Sequence, residues 1–380
     1  MTCHLERRIP GTLCRVSEPN TRSPAVAGEP DGDGGLESVA LTPPTRVTRS
    51  RATLADVARL AGVSAKTVSR VFSGNAYVAD QTRDRVMAAA NRLRFRPNDL
   101  ARSLRHGGVA NTVGFVMGDI TNQFYFQVAA GMERELAKHG ITMILAATED
   151  DPGSEERVVE TLLNQRVRAL VIVPIAADQS YLEGERQLGT PVICVDRPAR
   201  NLVADAIVLR NRSGTADAVR ALVTNGHRRI GFICSPGGLY THEQRLAGYR
   251  DALREAGVTD SRRWERLKDV DGRPDEESAR ELMALPDPPT AIVAGNNHAS
   301  AGVIRALGER RSEIAFIGFD DFELADALGI SVIAYDTLEM GRRAALRLLE
   351  RLDDPTGPPQ HIEVDTHVIA RGSGEIPPAS

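Results

Sequence analysis

The sequence predicts an all-α headpiece followed by an α/β core of two doubly wound parallel-sheet lobes, and three observations predict it. Between Thr53 and Phe72, two helix-length apolar faces flank a single glycine, Gly62. From Val113 onward, short apolar runs alternate with amphipathic stretches, the signature of βαβ units and a parallel sheet. Charge is also divided along the chain: residues 46 to 106 hold 13 Arg or Lys against four Asp, while all 380 residues together carry a net charge of −4. A basic head on an acidic body is the electrostatic footprint of a nucleic-acid binder with one dedicated module. The length accommodates about two to three domains.

Leu54, Val57, Ala58 and Ala61 fall at i, i+3, i+4 and i+7, one apolar face of a two-turn helix. Thr53 is its expected N-cap and Asp56 its capping-box acid. Gly62 supplies the left-handed conformation of a sharp turn, and Ser64 caps a second helix with Val68, Val71 and Phe72 inward. Two short helices around a glycine form a helix-turn-helix. The outward face of the second helix carries Ala65, Lys66, Ser69 and Arg70, with Ser64 and Thr67 near its start. Such a face suits a major groove, where Lys and Arg donate to guanine O6 and N7 while hydroxyls fix phosphates. A solvated surface helix is the alternative. Val86, Ala89, Ala90 and Leu93 give a third helix, ended by Pro97, that closes a small core. Asn98 to Arg105 is a short helical segment cut off by Gly107 and Gly108.

Residues 1–50 are rich in Pro, Gly, Ser, Thr and Arg and poor in apolar residues, and are expected to form a disordered tail. Cys3, Cys14, Cys194 and Cys234 have no CxxC or metal spacing, so inert thiols are expected, with no metal and no cofactor. No run approaches a membrane span, and the stretch before Cys14 lacks the apolar centre of a secretion signal. The expected location is the cytoplasm.

In the core, Val113 to Met117 reads as a strand, Phe124 to His139 as a helix closed by Gly140, and Thr142 to Leu145 as a second strand. Gly153 to Gln165 reads as a helix, with Ala169 to Val173 and Val192 to Val195 as further strands. A second series places strands at Ile207 to Leu209, Ile230 to Cys234, Ala291 to Ala294 and Ile314 to Ile317. Its helices fall at Ser213 to Asn225, Arg245 to Ala256, Asp275 to Ala284 and Ser300 to Gly308. Ligands of open α/β sheets lie beyond the carboxyl ends of the strands. Asp119, Asp196, Asn296 and Asp320 each follow a predicted strand, so they are expected to converge on one cleft.

Thr53 to Arg105 resembles the headpiece of the lactose-repressor family of regulators. The matching pieces are Ala61-Gly62-Val63-Ser64, Thr67-Val68-Ser69-Arg70-Val71, Arg96-Pro97-Asn98 and Ala101-Arg102-Ser103-Leu104. The core is similar to that family's periplasmic-binding-protein-like regulatory core at Asp119-Ile120, Asn122-Gln123-Phe124-Tyr125, Asp196-Arg197, Gly226-His227-Arg228-Arg229-Ile230, Arg245-Leu246-Ala247-Gly248-Tyr249 and Gly318-Phe319-Asp320-Asp321. The resemblance implies four parts: the tail at 1–50, a headpiece at 51–97, a hinge segment at 98–108, and an effector-binding and dimerisation core at 109–374. One lobe would hold about 109–210 and 335–364, the other about 211–334 and 365–374.

The DNA-contacting set it implies is Thr53, Leu54, Ser64, Ala65, Lys66, Thr67, Ser69, Arg70 and Tyr77, joined by Asn98, Ala101 and Leu104 of the hinge segment, where Leu104 wedges into a minor-groove base step. Arg245, Asn296 and Asp320 would hold the effector, with Phe124 as an apolar wall. Asp321 is expected to be structural, Asp196 to pair with Arg197 or contact ligand, and Asp320 with Arg245 either to bind ligand or to bridge the lobes. Three departures from the family leave the effector open: Asn297 where Asp is usual, Asp271 and Gly272 where an aromatic is frequent, and Tyr335 where Gln is frequent.

The expected function is a sequence-specific transcription regulator, a repressor in preference to an activator, binding a palindromic operator as a homodimer and controlled by a sugar-like small molecule. A solute-binding protein does not account for the headpiece. A sugar-processing enzyme needs a catalytic pair, and neither a Ser-His-Asp set nor HExxH is present. Residues 377–380 leave no room for a heptad tail, so a tetramer is not expected.

Overall fold

The computed structural model describes residues 52–73, 78–96, 111–234, 238–267 and 275–379. Two compact units divide between Phe95 and Arg96. Residues 1–51, Tyr77, Asn98, Ala101, Leu104, Asp271 and Gly272 lie outside the described residues, and with them the expected tail and hinge segment.

The described residues of the first unit form three helices, α1 (Leu54–Ala61), α2 (Ala65–Phe72) and α3 (Asp80–Arg92). Thr53 caps α1 in a full capping box with Asp56, and Gly62 ends it at φ 64°, in the left-handed region. Ser64 caps α2 through the Thr67 N–H at 3.1 Å. Caps of this kind each stabilise a helix by about 1 kcal/mol, which matters for helices of only eight residues. Val57, Ala58, Ala61, Val68, Val71, Val86, Ala89 and Ala90 form one buried cluster. Phe72 and Phe95 close its edge with ring centres 5.6 Å apart.

The second unit begins with β1 (Thr112–Met117), α4 (Gln123–Leu136), β2 (Thr142–Ala147), α5 (Glu155–Asn164), β3 (Ala169–Ile172), α6 (Glu183–Gln187), β4 (Val192–Asp196) and β5 (Asp205–Leu209). It continues with α7 (Asn211–Thr224), β6 (Ile230–Cys234), α8 (Tyr240–Glu255), β7 (Glu265–Leu267), α9 (Asp275–Met283), β8 (Ala291–Ala294), α10 (Asn297–Leu307) and β9 (Ala315–Phe319). Last come β10 (Ser331–Ala334), α11 (Thr337–Asp353), β11 (His361–Val364) and β12 (His367–Ile369). Two six-stranded sheets result, ordered β2-β1-β3-β4-β5-β11 and β7-β6-β8-β9-β10-β12. All pairings are parallel except β10 with β12. The strand runs are buried throughout in β3, β4, β5, β6, β8, β9 and β10, because helices cover both faces of a parallel sheet.

Strand β5, grouped with the second series by pattern but with the first lobe at 109–210 by the family resemblance, lies in the first sheet between β4 and β11. The chain leaves the first sheet after Leu209, returns after Ala334 to pack α11 on α4, and passes back between Val364 and His367. α4 and α11 approach closely because Gly131 and Gly341 face each other's backbone: a Cβ on Gly341 would run into the Val128 carbonyl, and one on Gly131 into that of Leu338. α8 starts at Tyr240, earlier than the predicted Arg245, and α10 at Asn297, earlier than Ser300. Among the described residues, no helix is long and apolar enough to cross a membrane.

Candidate functional site

The headpiece presents α2. Ala65, Lys66 and Arg70 are exposed, Thr67 and Ser69 half-buried. Ser64 and Thr67 hydroxyls lie 2.8 Å apart at the N-terminus, where unpaired backbone N–H groups favour phosphate. Among the described residues neither Lys66 nor Arg70 has an ion-pair partner, whereas Arg59 is held by Asp56 at 3.1 Å. The first turn of α2 carries no acid. Leu54, expected as a DNA contact, is half-buried and packs against the headpiece core, so its side chain is already engaged. Thr53 is exposed but serves α1, its hydroxyl donating to Asp56 at 2.6 Å. Lys66→Ala should therefore cost about 1 to 3 kcal/mol at one operator position, read by competition binding on an operator mutated base by base. Uniform weakening on every variant would make Lys66 a phosphate contact.

In the second unit both sheets have the 2-1-3-4-5 order whose ligand crevice lies beyond the carboxyl ends of the strands, at the switch point. A cleft of about 580 Å³ lies there between the lobes. Phe124, Asp196, Arg245, Asn296 and Asp320 all line it, as expected from their place after strands or from the family resemblance. Asp119 does not. Its carboxylate turns back to accept from the Thr121 N–H at 2.6 Å and the Thr121 hydroxyl at 2.7 Å, closing the turn after β1.

Asp196 and Asp320 occupy equivalent places at the ends of β4 and β9, and both have left-handed backbones, at φ 71° and 70°. Such conformations cost energy in a non-glycine residue and cluster where side chains must be aimed. Buried Asp196 pairs with Arg197 at 3.2 Å, and Arg197 Nη2 also donates to the Tyr125 hydroxyl at 3.2 Å. Arg197 Nη1 is buried with no hydrogen-bond partner among the described residues.

Asp320 accepts from the Tyr335 hydroxyl at 2.5 Å. Burial pushes its carboxyl up, against the opposing pull of Arg245 and Tyr335. Arg245 does not form the interlobe bridge considered from sequence, since both it and Asp320 belong to the second lobe. Its Nε donates to Asn211 Oδ1 and its Nη1 to the Gly295 carbonyl, each at 2.7 Å, and the guanidinium stacks 3.6 Å over Phe319. Asn296 caps α10 through the Ala299 N–H at 2.7 Å.

Several lining residues escape the sequence signals. Asp150 follows β2 and obeys the strand-end rule, but β2 runs to Ala147, two residues past its predicted end. Partial desolvation pushes its carboxyl up, with Arg197 opposing. Arg200 spans the cleft to the Gly238 carbonyl at 2.5 Å, and Asn297 Nδ2 donates across it to Asn122 Oδ1 at 2.9 Å. Arg200 carries no local motif, and Asn122, although inside the matching piece Asn122-Gln123-Phe124-Tyr125, is given no role there.

The family model of bacterial regulatory proteins of the lacI family matches residues 53–98, and that of the periplasmic binding protein-like domain matches residues 219–374. The ribose operon repressor of Escherichia coli (strain K12) is 32% identical over 329 residues, 85% of this chain and 99% of its own length. The chain belongs to the lacI family of bacterial regulatory proteins. Among solved structures, the Lac repressor dimer bound to operator and the anti-inducer ONPF matches 86% of this lacI-family chain and 99% of its own, with a TM-score of 0.74 at 24% identity, a likeness of fold. The CelR–cellobiose complex is 28% identical, with a TM-score of 0.62 over 85% of this chain and 100% of its own. This lacI-family protein is thus a DNA-binding transcription regulator with a helix-turn-helix headpiece and a two-lobed α/β core.

Proposed function

We propose that this lacI-family regulator is a repressor that binds a palindromic operator as a homodimer, under the control of a sugar or related polyhydroxylated metabolite held in the interlobe cleft. The observation that carries the ligand half is Arg197 Nη1, a buried cationic N–H at the cleft without an acceptor among the described residues. Leaving such a donor unsatisfied costs about 1 to 3 kcal/mol or more, and a ligand oxygen removes that cost. Asp150, Asp320 and Arg245 add acceptors and a further donor, the mixture that vicinal hydroxyls require. Relatives agree in kind: one is a ribose operon repressor, and another was solved in complex with cellobiose.

The proposed action is binding alone, without cofactor or catalysis, in the cytoplasm where operator DNA lies. Asp320 and Asp321, the adjacent carboxylates, point to different tasks: Asp321 is held by Arg371 at 2.6 and 2.8 Å. The contacts of Arg245, Asn296, Phe124 and Asp196 with the ligand are part of the same proposal.

A thermal-shift screen of pentoses, hexoses and disaccharides on the full chain tests it. At least one sugar should stabilise the protein, and Arg197→Ala or Asp320→Ala should each weaken that sugar by about 10- to 100-fold, the loss of a hydrogen bond to a charged group. Undiminished binding in both variants would place the ligand elsewhere.

A further inference from the structure

Adjoining the interlobe cleft is a second cavity of about 220 Å³, lined on its own side by Gln123, Gln127, Asp321, Phe322 and Thr337. It shares four walls with the cleft: Phe124, Asn297, Asp320 and Tyr335. Tyr335 stands where the chain passes from β10 to α11, and three contacts fix it. Its hydroxyl donates to Asp320 Oδ1 at 2.5 Å. The Phe124 ring meets it nearly edge-on at 6.0 Å, and the Phe319 ring lies 6.2 Å away. Edge-on aromatic packing and a charge-assisted hydrogen bond both hold a ring in one orientation, so Tyr335 is a standing partition instead of a swinging side chain.

We infer that Tyr335 determines ligand specificity by closing the second cavity, so that it limits the length of the ligand at its Asp320 end. This rests on the reading that the cleft binds a polyhydroxylated molecule. The second cavity is suited to more of the same chemistry: Gln123, Gln127 and Asn297 offer amides, and Thr337 a hydroxyl that donates to Gln127 at 2.6 Å. Removing the ring joins the two spaces and frees Asp320 Oδ1 from its protein donor. A second sugar ring, or a polar branch on the carbon facing Asp320, then has both room and partners. An apolar tail would leave those amides unsatisfied and is disfavoured.

Calorimetric affinities for monosaccharides and their disaccharides test this on the full chain, in the wild type, Tyr335→Phe and Tyr335→Ala. The ratio of disaccharide to monosaccharide affinity should rise by about tenfold or more in Tyr335→Ala, the scale on which pocket shape discriminates, and stay unchanged in Tyr335→Phe, which keeps the wall. Tyr335→Leu, smaller than Tyr but apolar and packable, takes the place of Tyr335→Ala if that variant does not melt cooperatively. An unchanged ratio in a folded Ala or Leu variant that still binds the monosaccharide overturns the inference and leaves the cleft reading intact. An equal shift in Tyr335→Phe also overturns it, assigning the effect to the hydroxyl. Failure of every sugar to bind any of the proteins removes the cleft reading itself, and the inference with it.

Discussion

Asp205→Ala is expected to destabilise the protein by about 3 to 5 kcal/mol, the cost of removing one partner from a buried ion pair. The Asp205 side chain is 3% exposed, and those of Arg347 and Arg351 are 8% and 10% exposed. Asp205 Oδ1 accepts from Arg347 Nε and the Gln360 N–H, both at 2.8 Å, and Oδ2 from Arg351 Nε at 2.6 Å. Arg351 in turn donates to the Pro358 carbonyl at 2.8 Å and to that of Gly357. The cluster thus ties the start of β5 to the end of α11 and to the segment leading into β11. Without Asp205, two buried guanidinium groups lose their only buried carboxylate among the described residues.

Burial alone would raise the Asp205 carboxyl, but hydrogen bonds from Arg351 and Arg347 and from the Gln360 backbone hold it below its usual range. A depressed acid stabilises the fold above its unfolded pKa, about 3.9, and that contribution fades as pH falls through the folded value. Urea midpoints should therefore differ between wild type and variant by a constant amount from neutrality to about pH 5, and converge below about pH 4. A difference under about 1 kcal/mol at pH 7 would mean the cluster is hydrated and weak.

Raising salt from about 50 to about 200 mM is expected to weaken operator binding by about 10³ to 10⁵, if two headpieces together neutralise roughly six to ten phosphates. Each described headpiece carries Arg59, Lys66, Arg70, Arg83, Arg85, Arg92, Arg94 and Arg96 against Asp56, Asp80 and Asp84. The slope of log K against log salt should be near −0.9 per neutralised phosphate. A slope shallower than about −2 would leave too few phosphate contacts for a headpiece dimer. Sugar binding in the cleft, where no polyanion releases counterions, should change little over the same range.

The headpiece was legible because its signals are local. Thr53 with Asp56, Gly62 and Ser64 each mark a helix end within a few residues, and the apolar spacing shows which face is buried. The strand cores were legible for the same reason, and the strand-end rule found Asp196, Asn296 and Asp320. It failed for Asp119, because the hydroxyl and N–H of Thr121, two residues on, capture that carboxylate. It missed Asp150, because β2 is an edge strand whose half-exposed residues blur its end.

Three-residue β7 and β12 are too short to carry a period. The first turn of α8, Tyr-Thr-His-Glu-Gln, has no apolar spacing to mark it, and its Thr241 and His242 line the cleft. Arg200, Asn122 and Asn297 act across the cleft, through pairs 38 and 175 residues apart, and no local pattern reports such contacts. α11 is different. Met340, Ala344, Ala345 and Leu348 give it a helical face that the local reading passed over, and it was the family resemblance, not a local pattern, that put 335–364 with the first lobe.

Coupling between the cleft and the operator is measured most directly by titrating a duplex selected from a random pool with the full-length protein, with and without a saturating sugar identified by thermal shift. The expected result is an operator affinity that the sugar changes by about 5- to 150-fold in the wild type, and does not change in Asp320→Ala, whose affinity without sugar matches the wild type. The contradicting result is a sugar that binds the core tightly while the operator affinity of the wild type stays the same.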